Sequence, residues 1–487
     1  MSTPRSLLAG IAAIGAGVFA GRAVRRRAGV RVARTARLAG AGTRAGGGYA
    51  VHRARRVFAA AERRDVLDAD FQLRTAEQVV ETLGHMKGAV MKLGQMASYL
   101  DQGLPEHVRD AFAQLQQDAP PMTPELVAST VAAELGAPPE DLFAEWDPVP
   151  IAAASIGQVH RAMTAEGEAV AVKVQYPGID EAIRGDLDNA GVLFSAMNLL
   201  FPGLDPKPLV AELRDRLLEE LDYALEADNQ ALFGGFFAGH PFVHVPAVVG
   251  RYCSSRVLTT ELAAGARFTD VTGWSQDERD RAGEAIFRFV FRSLYRLRAF
   301  NGDPHPGNYL FSPGGQVTFL DFGLVKRFTP DETHTFSDMI QAMVIRRDPS
   351  EFRRIVEDVG LLARGQPFSD QRIEDYFGHY YEFVFDDEPR TMTKEYATES
   401  VRRVFDANGP YADILKAANM PPGFAIIQRI NLGLYAILGQ LEATANWRRI
   451  AEELWPFIDG PPSTPMGEQE AAWLAGRVRS APSSAPA

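Results

Sequence analysis

The sequence predicts an α+β fold of two lobes around a cleft, with a helical extension on its N-terminal side. Three observations lead to this prediction. An alanine-rich loop at 152–159 precedes the strand-like run Val170-Ala-Val-Lys173, and a second strand-like run, 317–320, ends in Asp321-Phe-Gly323. Segments with helical periodicity lie on both sides of these strands. With 487 residues, 46% of them hydrophobic, the chain is long enough to form such a core.

The segment Asn301-Gly-Asp-Pro-His-Pro-Gly-Asn308, together with Asp321, carries the clearest chemical signal. Asp303 and Asn308 stand five residues apart, the D-x-x-x-x-N spacing in which the aspartate accepts a proton from a hydroxyl while the asparagine binds Mg²⁺. Asp321 would hold the Mg²⁺ that bridges the phosphates, since this ion prefers oxygen ligands and keeps several waters. These residues predict a Mg-ATP site and a protein-kinase-like bilobal fold. The simpler interpretation is a Pro- and Gly-rich loop before a strand.

A phosphate-covering loop is expected upstream, and the alanine-rich loop lies in the right place. Aligned on G-x-G-x-x-G-x-V, Gly157 and Val159 match, whereas Ala152 and Ala154 replace the first two glycines. Alanine resists positive φ and adds a methyl group where a backbone must approach phosphate. We therefore expect nucleotide to bind differently here, through the residues Ala152, Ala153, Ala154, Ser155, Gly157 and Val159.

Lys173 is one of seven lysines, against forty-four arginines, and it ends an apolar strand. Its predicted role is to pair with the α- and β-phosphates and with a helix glutamate; the simpler alternative is a lysine that reaches solvent. The acidic segment 208–233 is predicted to be one helix. At 100° per residue Asp222 and Glu226 share a face, while Glu220 lies about 120° from Glu226. Two carboxylate faces suggest two partners.

Five motifs in this order resemble those of the UbiB/AarF family of atypical kinases. They are Lys92-Leu-Gly-Gln95, the A-A-A-S-I-G-Q-V-H loop, the V-A-V-K strand, Glu220-Leu-Asp222 and the D-P-H-P-G-N loop. The resemblance is close over about 75–320 and looser to about 455.

This resemblance implies that the K-x-G-Q segment belongs to a helical extension over the cleft, where a protein substrate would otherwise dock. It implies that Lys92 meets Glu220, with Gln95 and Asp222 in the same regulatory contact, while Glu226 pairs with Lys173. It also implies an ATP-dependent role in isoprenoid-quinone or related lipid metabolism, by ATPase or small-molecule kinase activity at a membrane. Lipid-biosynthesis enzymes are then expected partners.

A helix start follows closely behind Asp321. Thr329-Pro330-Asp331-Glu332 has threonine at the N-cap, proline at the first helical position and glutamate completing a capping box. A helix that begins eight residues after Asp321 leaves little room for an activation segment, and no A-P-E sequence occurs in the chain. We therefore do not expect a protein substrate.

Adenine is expected to bind backbone groups from Glu261 to Ala263, where the strand 256–260 would become a hinge. The predicted domains are an N-terminal segment at 1–60, the helical extension with the K-x-G-Q motif at 61–145, a small lobe at 146–262, a helical large lobe at 263–459 and a tail at 460–487. The tail is rich in Pro, Ser and Ala apart from a short helical patch around Trp473, and it is predicted to be disordered.

The first sixty residues contain twelve arginines and no acid. Since the whole chain has a net charge of −11, residues 61–487 carry about −23 by subtraction. An apolar run at 7–21, about 22 Å long as a helix, is short of the hydrocarbon core. Because basic side chains bind anionic leaflets, we predict peripheral or anchored association with the cytoplasmic side of a membrane. A targeting peptide and a nucleic-acid tail are the alternatives. Nucleic acid is not expected, since no aromatic residues are interleaved with the charges.

Two other functions stay open. Small-molecule phosphotransferases of the choline or aminoglycoside type share the G-D-x-x-x-x-N and D-F-G-like elements, although the extension argues against this class. A pseudokinase would bind ATP as a scaffold without turnover, which the complete set of Lys173, Asp303, Asn308 and Asp321 argues against.

The alanine loop supplies a first test. Ala154→Gly is expected to change the affinity or the selectivity of the chain for ATP and ADP, because it restores the conformational freedom of a glycine-rich loop. Titration of both nucleotides into the parent and the variant measures the change. Identical binding of both nucleotides would contradict this interpretation of the loop.

Overall fold

The computed structural model describes residues 122–154, 156–188, 218–302, 304–405, 409–419 and 421–480. The chain divides into two compact units, of which the larger comprises 92–105, 118–180 and 215–487. Only 181–188 of the smaller unit are described. Several predictions lie outside the described residues: those for the 1–60 segment, for most of the extension with Lys92 and Gln95, for Ser155 and for Asp303.

Residues 122–261 supply the small lobe and the elements that follow it. The helices are α1 (Pro124–Leu135), α2 (Pro139–Leu142), α3 (Ile179–Asp188) and α4 (Tyr223–Phe236). The strands are β1 (Glu145–Trp146), β2 (Ala152–Ala154), β3 (Gly157–Met163), β4 (Ala169–Gln175), β5 (Val243–His244) and β6 (Val257–Glu261).

Residues 266–480 are mainly helical. The helices are α5 (Phe268–Val271), α6 (Gln276–Arg292), α7 (Pro330–Ile340), α8 (Pro349–Asp358), α9 (Asp370–Phe377), α10 (Lys394–Phe405), α11 (Ala412–Ala417), α12 (Pro422–Leu441), α13 (Trp447–Leu454) and α14 (Pro465–Ser480). The strands are β7 (Ala266–Arg267), β8 (Ala299–Asn301), β9 (Tyr309–Ser312), β10 (Gln316–Phe319), β11 (Val325–Arg327), β12 (Arg390–Thr391) and β13 (Thr444–Ala445).

The small lobe is built on an antiparallel sheet of five strands. The order is β1-β3-β4-β6, and β2 also pairs with β3. Val172, Val174 and Val257 point from this sheet into a core that includes Val127 and Val131 of α1, and all five are at most 1% exposed. The alternation of buried and open positions along β4 leaves Lys173 on the opposite face of the strand from these valines.

Two short sheets support the segments of the large lobe that contain the candidate site residues. One has the order β5-β10-β9-β7, and the other pairs β8 with β11. In the β9–β10 hairpin Tyr309 is opposite Phe319, and in the second sheet Asn301 is opposite Val325. The hairpin therefore delivers Asp321, while the second sheet fixes the backbone on both sides of the site.

The central helix α6 anchors the hydrophobic core of the large lobe. Its Phe287 packs against Trp447 of α13, with ring centroids 5.2 Å apart, and its Phe289 stacks on Phe319 of β10. All four rings are at most 2% exposed. Since Phe319 lies two residues before Asp321, the strand that ends at the site is fixed by the core of the lobe.

Two local predictions are confirmed. The run 317–320 contains most of β10, and α7 begins at Pro330 with Thr329 as its N-cap. The amide of Glu332 donates to Thr329 Oγ1 at 3.2 Å while the Thr329 amide donates to Glu332 Oε2 at 2.8 Å, which is the predicted capping box.

The prediction of one continuous helix over 208–233 was wrong. Asp222 has φ −113° and ψ 95°, outside the helical region, and its side chain accepts a hydrogen bond from the Ala224 amide at 3.0 Å. Aspartate is a favoured N-cap because its carboxylate satisfies an amide that has no helical partner. The helical-wheel argument that placed Asp222 and Glu226 on one face therefore fails.

The predicted disorder was wrong for residues 465–480, which form helix α14, a longer helix than the short patch predicted around Trp473. Glu470 of α14 is 1% exposed and reaches two buried arginines of α6. It accepts hydrogen bonds from Arg292 Nε and Nη2 at 3.0 Å each and from Arg288 Nη1 at 2.9 Å. Composition indicated a polar tail, but this buried ion cluster fixes the helix to the lobe.

Two further glutamates belong to the cluster. Arg288 Nε also donates to Glu284 at 2.7 Å, and its Nη1 donates to Glu453 at 2.9 Å. Burial of Glu470 opposes its ionisation, but the His240 ring 3.5 Å away, the hydrogen bonds from Arg292 and the charges of Arg292 and Arg288 lower its pKa well below the usual range. Buried charges are tolerated only when they are paired in this way.

We expect Glu470→Gln to lower the free energy of unfolding at pH 7 by about 3–5 kcal/mol, because two buried guanidinium groups lose their shared counterion. Urea unfolding measures this loss. The matched control is Glu468→Gln on the exposed face of the same helix, for which we expect a change of about 0.5 kcal/mol or less.

The effect of pH has a definite sign. The folded-state pKa of Glu470 is depressed, so its contribution is present above the unfolded pKa and is lost as the pH falls. The difference in stability between parent and Glu470→Gln should therefore shrink as the pH is lowered below about 4.3. A difference that stays constant or grows would contradict the buried ion cluster.

Candidate active site

A buried ion pair joins the small-lobe sheet to helix α4. Lys173 Nζ lies 2.9 Å from both carboxylate oxygens of Glu226. Lys173 is opposite Val159 on β3 and Leu258 on β6, in the middle of the sheet. The side chain of Glu226 is 3% exposed and that of Lys173 is 18% exposed, so most of the accessible surface of the pair belongs to the lysine.

Two further contacts attach the start of α4 to the same sheet. Gln175 Nε2 at the end of β4 donates to the Leu221 carbonyl at 3.1 Å, and the Tyr223 amide donates to the Ser255 carbonyl at 3.0 Å. The Tyr223 ring lies against the ammonium of Lys173, 4.7 Å from Nζ to the ring centroid. The helix therefore begins at a defined place, and Glu226 in its first turn faces Lys173.

The electrostatics of the pair keep Lys173 charged. Burial alone would lower its pKa, but the carboxylates of Glu226 and Asp321 raise its pKa above the usual range. Burial raises the pKa of Glu226, and the Lys173 ammonium opposes this change. An ammonium has three N–H donors, and Glu226 takes two of them. The third donor can serve a phosphate oxygen.

The alanine-rich loop forms a β-hairpin. Ala152, Ala153 and Ala154 of β2 are opposite Val159, Gln158 and Gly157 of β3, and the first two alanines are exposed. None of these residues has a positive φ, so alanine meets no backbone strain in this conformation. Gly157 serves close packing instead, because a Cβ there would lie 2.3 Å from the Val174 carbonyl oxygen and 2.9 Å from the Tyr223 hydroxyl.

Two polar residues of the same motif, Gln158 and His160, have structural contacts that the sequence interpretation missed. Gln158 Oε1 accepts from the Met122 amide and its Nε2 contacts His160 Nε2, both at 2.8 Å. His160 Nδ1 lies 2.9 Å from the Asp147 carbonyl. Burial lowers the pKa of His160, which fits a neutral ring with its proton on Nδ1. Their i, i+2 spacing on a strand was the available signal for a shared buried face.

Asp321 lies close to Asn301 and to α4. The Asn301 side-chain amide donates to the Asp321 carbonyl, and the Gly323 amide donates to Asp321 Oδ1 at 2.9 Å. A Cβ built on Gly323 would lie 3.4 Å both from Asp321 Oδ1 and from Glu226 Oε2. The D-F-G segment is thus in contact with the ion pair.

Asn308 is brought next to Asp321 by the β9–β10 hairpin. It ends the short helical turn Pro306–Asn308, whose N-cap His305 accepts from the Gly307 amide at 3.0 Å. The Leu320 amide donates to the Asn308 carbonyl at 3.0 Å. Among the described residues no group of three or more His, Cys, Asp or Glu could hold a metal ion. One carboxylate and one amide oxygen nevertheless suit Mg²⁺, which completes its shell with water and phosphate oxygens.

The predicted hinge lies at the end of β6. The Glu261 amide donates to the Ala247 carbonyl at 2.8 Å, and the Leu262 amide donates to the Ala169 carbonyl at 3.0 Å. The side chain of Glu261 lies 3.3 Å from His244. Both backbone amides therefore donate hydrogen bonds within the protein. Ala263 is the first residue after them.

The structure describes only the last residues of the acidic segment before α4. Asp222 caps the helix, and Glu220 lies in the turn before it. Their predicted partners, Lys92 and Gln95, lie outside the described residues. Within the described part of the chain, no helix is both long enough and apolar enough to cross a membrane.

An antiparallel sheet with an ion-paired lysine and a helical lobe with a D-F-G segment together define a protein-kinase-like fold, as predicted. A family model described as the ABC1 atypical kinase-like domain matches residues 114–356. A solved structure, the complex of Rv3197 with erythromycin from Mycobacterium tuberculosis, matches with 31% identity and a TM-score of 0.59, over 81% of this chain and 98% of that one.

Named relatives agree with this match. The chain is 36% identical over 269 residues to the mitochondrial atypical kinase COQ8B of Rattus norvegicus, which covers 55% of this chain and 51% of the relative. It is 31% identical over 257 residues to the mitochondrial atypical kinase COQ8 of Saccharomyces cerevisiae, covering 52% and 51%. The chain therefore spans about half the length of these relatives. It belongs to the UbiB family of ABC1 atypical kinase-like proteins, which confirms the resemblance.

Removal of the lysine should expose the cost of the buried carboxylate. In Lys173→Met, Glu226 has no cation beside it, so burial keeps its folded pKa above the unfolded value. The folded state then holds a proton that the unfolded state releases, and the free energy of unfolding falls as the pH rises, by up to about 1.4 kcal/mol per pH unit. Urea unfolding from pH 5 to 8 measures this slope.

The matched control is Lys173→Met combined with Glu226→Gln, which has no ionisable group at either position. The difference between the single and the double variant isolates Glu226 from every other titrating residue. Parallel pH profiles for the two variants would show that Glu226 is not buried as the structure places it.

Proposed function

We propose that this chain is a Mg-ATP-dependent atypical kinase or ATPase. The observation that carries the proposal is the Lys173–Glu226 pair, with both N–O distances at 2.9 Å and Asp321 close beside it. A lysine held by a helix glutamate orients the α- and β-phosphates in kinases. We assign Lys173 and Glu226 to this role.

We assign the remaining roles from the sequence motifs and from the chemistry of the residues. Asp321 and Asn308 would hold Mg²⁺, which supplies charge neutralisation at the phosphates when it is bound. Asp303 would accept the proton of the attacking hydroxyl or water. The hairpin with Ala152, Ala153, Ala154, Ser155, Gly157 and Val159 would cover the nucleotide. The Ala263 amide is our assignment for an adenine contact, next to Glu261.

The short connection after the D-F-G segment argues against a peptide substrate. Residues 325–327 form β11, which pairs with β8, and α7 begins at Pro330. Protein kinases use the corresponding stretch to seat a peptide. We propose instead a small or lipidic acceptor, or ATP hydrolysis coupled to isoprenoid-quinone or related lipid metabolism, with lipid-biosynthesis enzymes as partners.

The regulatory assignment rests on the family resemblance and on the position of Asp222. Asp222 caps the helix that carries Glu226, so a cation bound at 220–222 would act at the start of that helix. We propose that Lys92 and Gln95 contact Glu220 and Asp222 in this way. The arginine-rich residues 1–60 would hold the chain at an anionic membrane on its cytoplasmic side.

The test is ADP release from Mg-ATP by the full chain, with and without anionic liposomes that carry a lipophilic phenol. We expect turnover that rises with the liposomes and falls at least about 100-fold in Asp321→Asn, because that variant loses a metal-binding carboxylate. Removal of residues 1–60 should abolish the liposome effect and leave the basal rate.

The other outcomes identify the alternatives. Tight nucleotide binding with no turnover above the Asp321→Asn level would indicate an ATP-binding scaffold. Phosphorylation of a soluble alcohol without membrane would indicate a small-molecule phosphotransferase. A substantial membrane-independent rate, well above that of a protein-free blank and equal in parent and Asp321→Asn, would contradict the proposed site.

A further inference from the structure

One buried residue of α4 has no role in the function proposed above, although it contacts two segments of the site. Asn229 follows Glu226 by three residues and is 4% exposed. Residues three apart on a helix lie on the same face. We propose that Asn229 is a positioning residue that couples the Glu226 helix to the Asp321 segment. This inference rests on the proposed function.

The contacts of Asn229 run in two directions. Its Nδ2 donates to the Phe322 carbonyl at 3.2 Å, and its Oδ1 accepts from Arg327 Nη2 at 3.3 Å. A carbonyl can only accept and a guanidinium can only donate. The orientation of the amide is therefore fixed by its partners, and the flipped amide would satisfy neither contact.

These contacts join three elements of the site. Phe322 lies between Asp321 and Gly323 in the D-F-G segment. Arg327 ends β11 and is opposite Ala299 at the start of β8, the strand that leads into the D-P-H-P-G-N loop. Asn229 thus connects the helix that orients Lys173, the segment that carries Asp321 and the sheet that precedes Asp303.

Packing alone does not provide the same coupling. The Phe322 ring also contacts Phe233 of α4, with centroids 5.0 Å apart, and apolar packing is not directional. A hydrogen bond to the Phe322 carbonyl specifies both distance and direction. Asn229 therefore fixes the position of α4 along its axis relative to the D-F-G backbone, whereas the rings only hold the two together.

The chain offers a matched control on the same helix. Gln230 is a buried amide, 1% exposed, and its Nε2 donates to the Pro246 carbonyl at 2.7 Å, away from the D-F-G segment. Asn229→Leu and Gln230→Leu each leave one buried carbonyl without a side-chain donor. Their costs to folding should be similar, and only Asn229→Leu removes a link to Asp321.

The first readout does not depend on turnover. Amide hydrogen exchange at residues 322–327 in the nucleotide-free chain should be at least about 10-fold faster in Asn229→Leu than in Gln230→Leu, because α4 no longer holds this segment. Arg327 is exposed, so Arg327→Gln should fold normally and give a smaller increase. Equal exchange in Asn229→Leu and Gln230→Leu would overturn the proposal.

The second readout connects the residue to chemistry. In Asn229→Leu we expect kcat for ADP release to fall about 10- to 100-fold and the Mg²⁺ concentration for half-maximal rate to rise, with a smaller change in KM for ATP. Gln230→Leu should keep both parameters within about twofold of the parent. Arg327→Gln should add little to Asn229→Leu, since both remove the same link.

The two proposals fail in different ways. A parent chain without turnover would contradict the proposed function, and hydrogen exchange would still decide the coupling. Normal kcat and Mg²⁺ dependence in Asn229→Leu, in a parent that turns over ATP, would overturn the positioning role alone. Loss of folding in Asn229→Leu would shift the decision to Arg327→Gln, where unchanged exchange at 322–327 would equally overturn it.

Discussion

The site depends on keeping two opposite charges buried at one place. Removal of a lysine and a glutamate from water costs several kcal/mol for each ion, and only short, well-directed contacts offset this cost. The bidentate contact of Lys173 with Glu226 meets that condition, and the Tyr223 ring shields the ammonium. Because the attraction falls when the distance grows, the sheet and α4 must be held firmly by other contacts.

Those contacts come from both lobes. Gln175 and the Ser255 carbonyl hold the start of α4 against the small-lobe sheet. Asn229 and Phe233 hold its middle against the D-F-G segment, which the β9–β10 hairpin connects to the core of the large lobe. A single helix thus connects the lysine and the aspartate of the site. Any partner that moves this helix would change both together.

Features of this fold could be predicted from the sequence when a few neighbouring residues determine them. The strand before Asp321 and the start of α7 were predicted correctly, because alternation and capping chemistry act over a few residues. The start of α4 was not predicted correctly. The acidic segment is compatible with a continuous helix, but the Asp222 side chain caps a helix that begins at Tyr223. Glu226 could be chosen as the partner of Lys173 only from a contact between residues 53 positions apart. The resemblance to a family implied that contact, and no periodicity in the segment did. Gln158 and His160 were missed because their partners Met122 and Asp147 lie in other segments.

The large lobe completes its core later in synthesis than the small lobe, because it requires helix α14. The strands of the small lobe and its ion pair lie within 145–261, so this lobe has all its partners once α4 and β6 have left the ribosome. Arg288 and Arg292 in the centre of the large lobe lack their shared counterion until Glu470 has been made, 178 positions after Arg292. Since domains emerge from the N-terminal side, the large lobe completes its core last. Until then Arg288 has Glu284 of the same helix as a partner, whereas Arg292 waits for Glu470 and the buried ion cluster is incomplete.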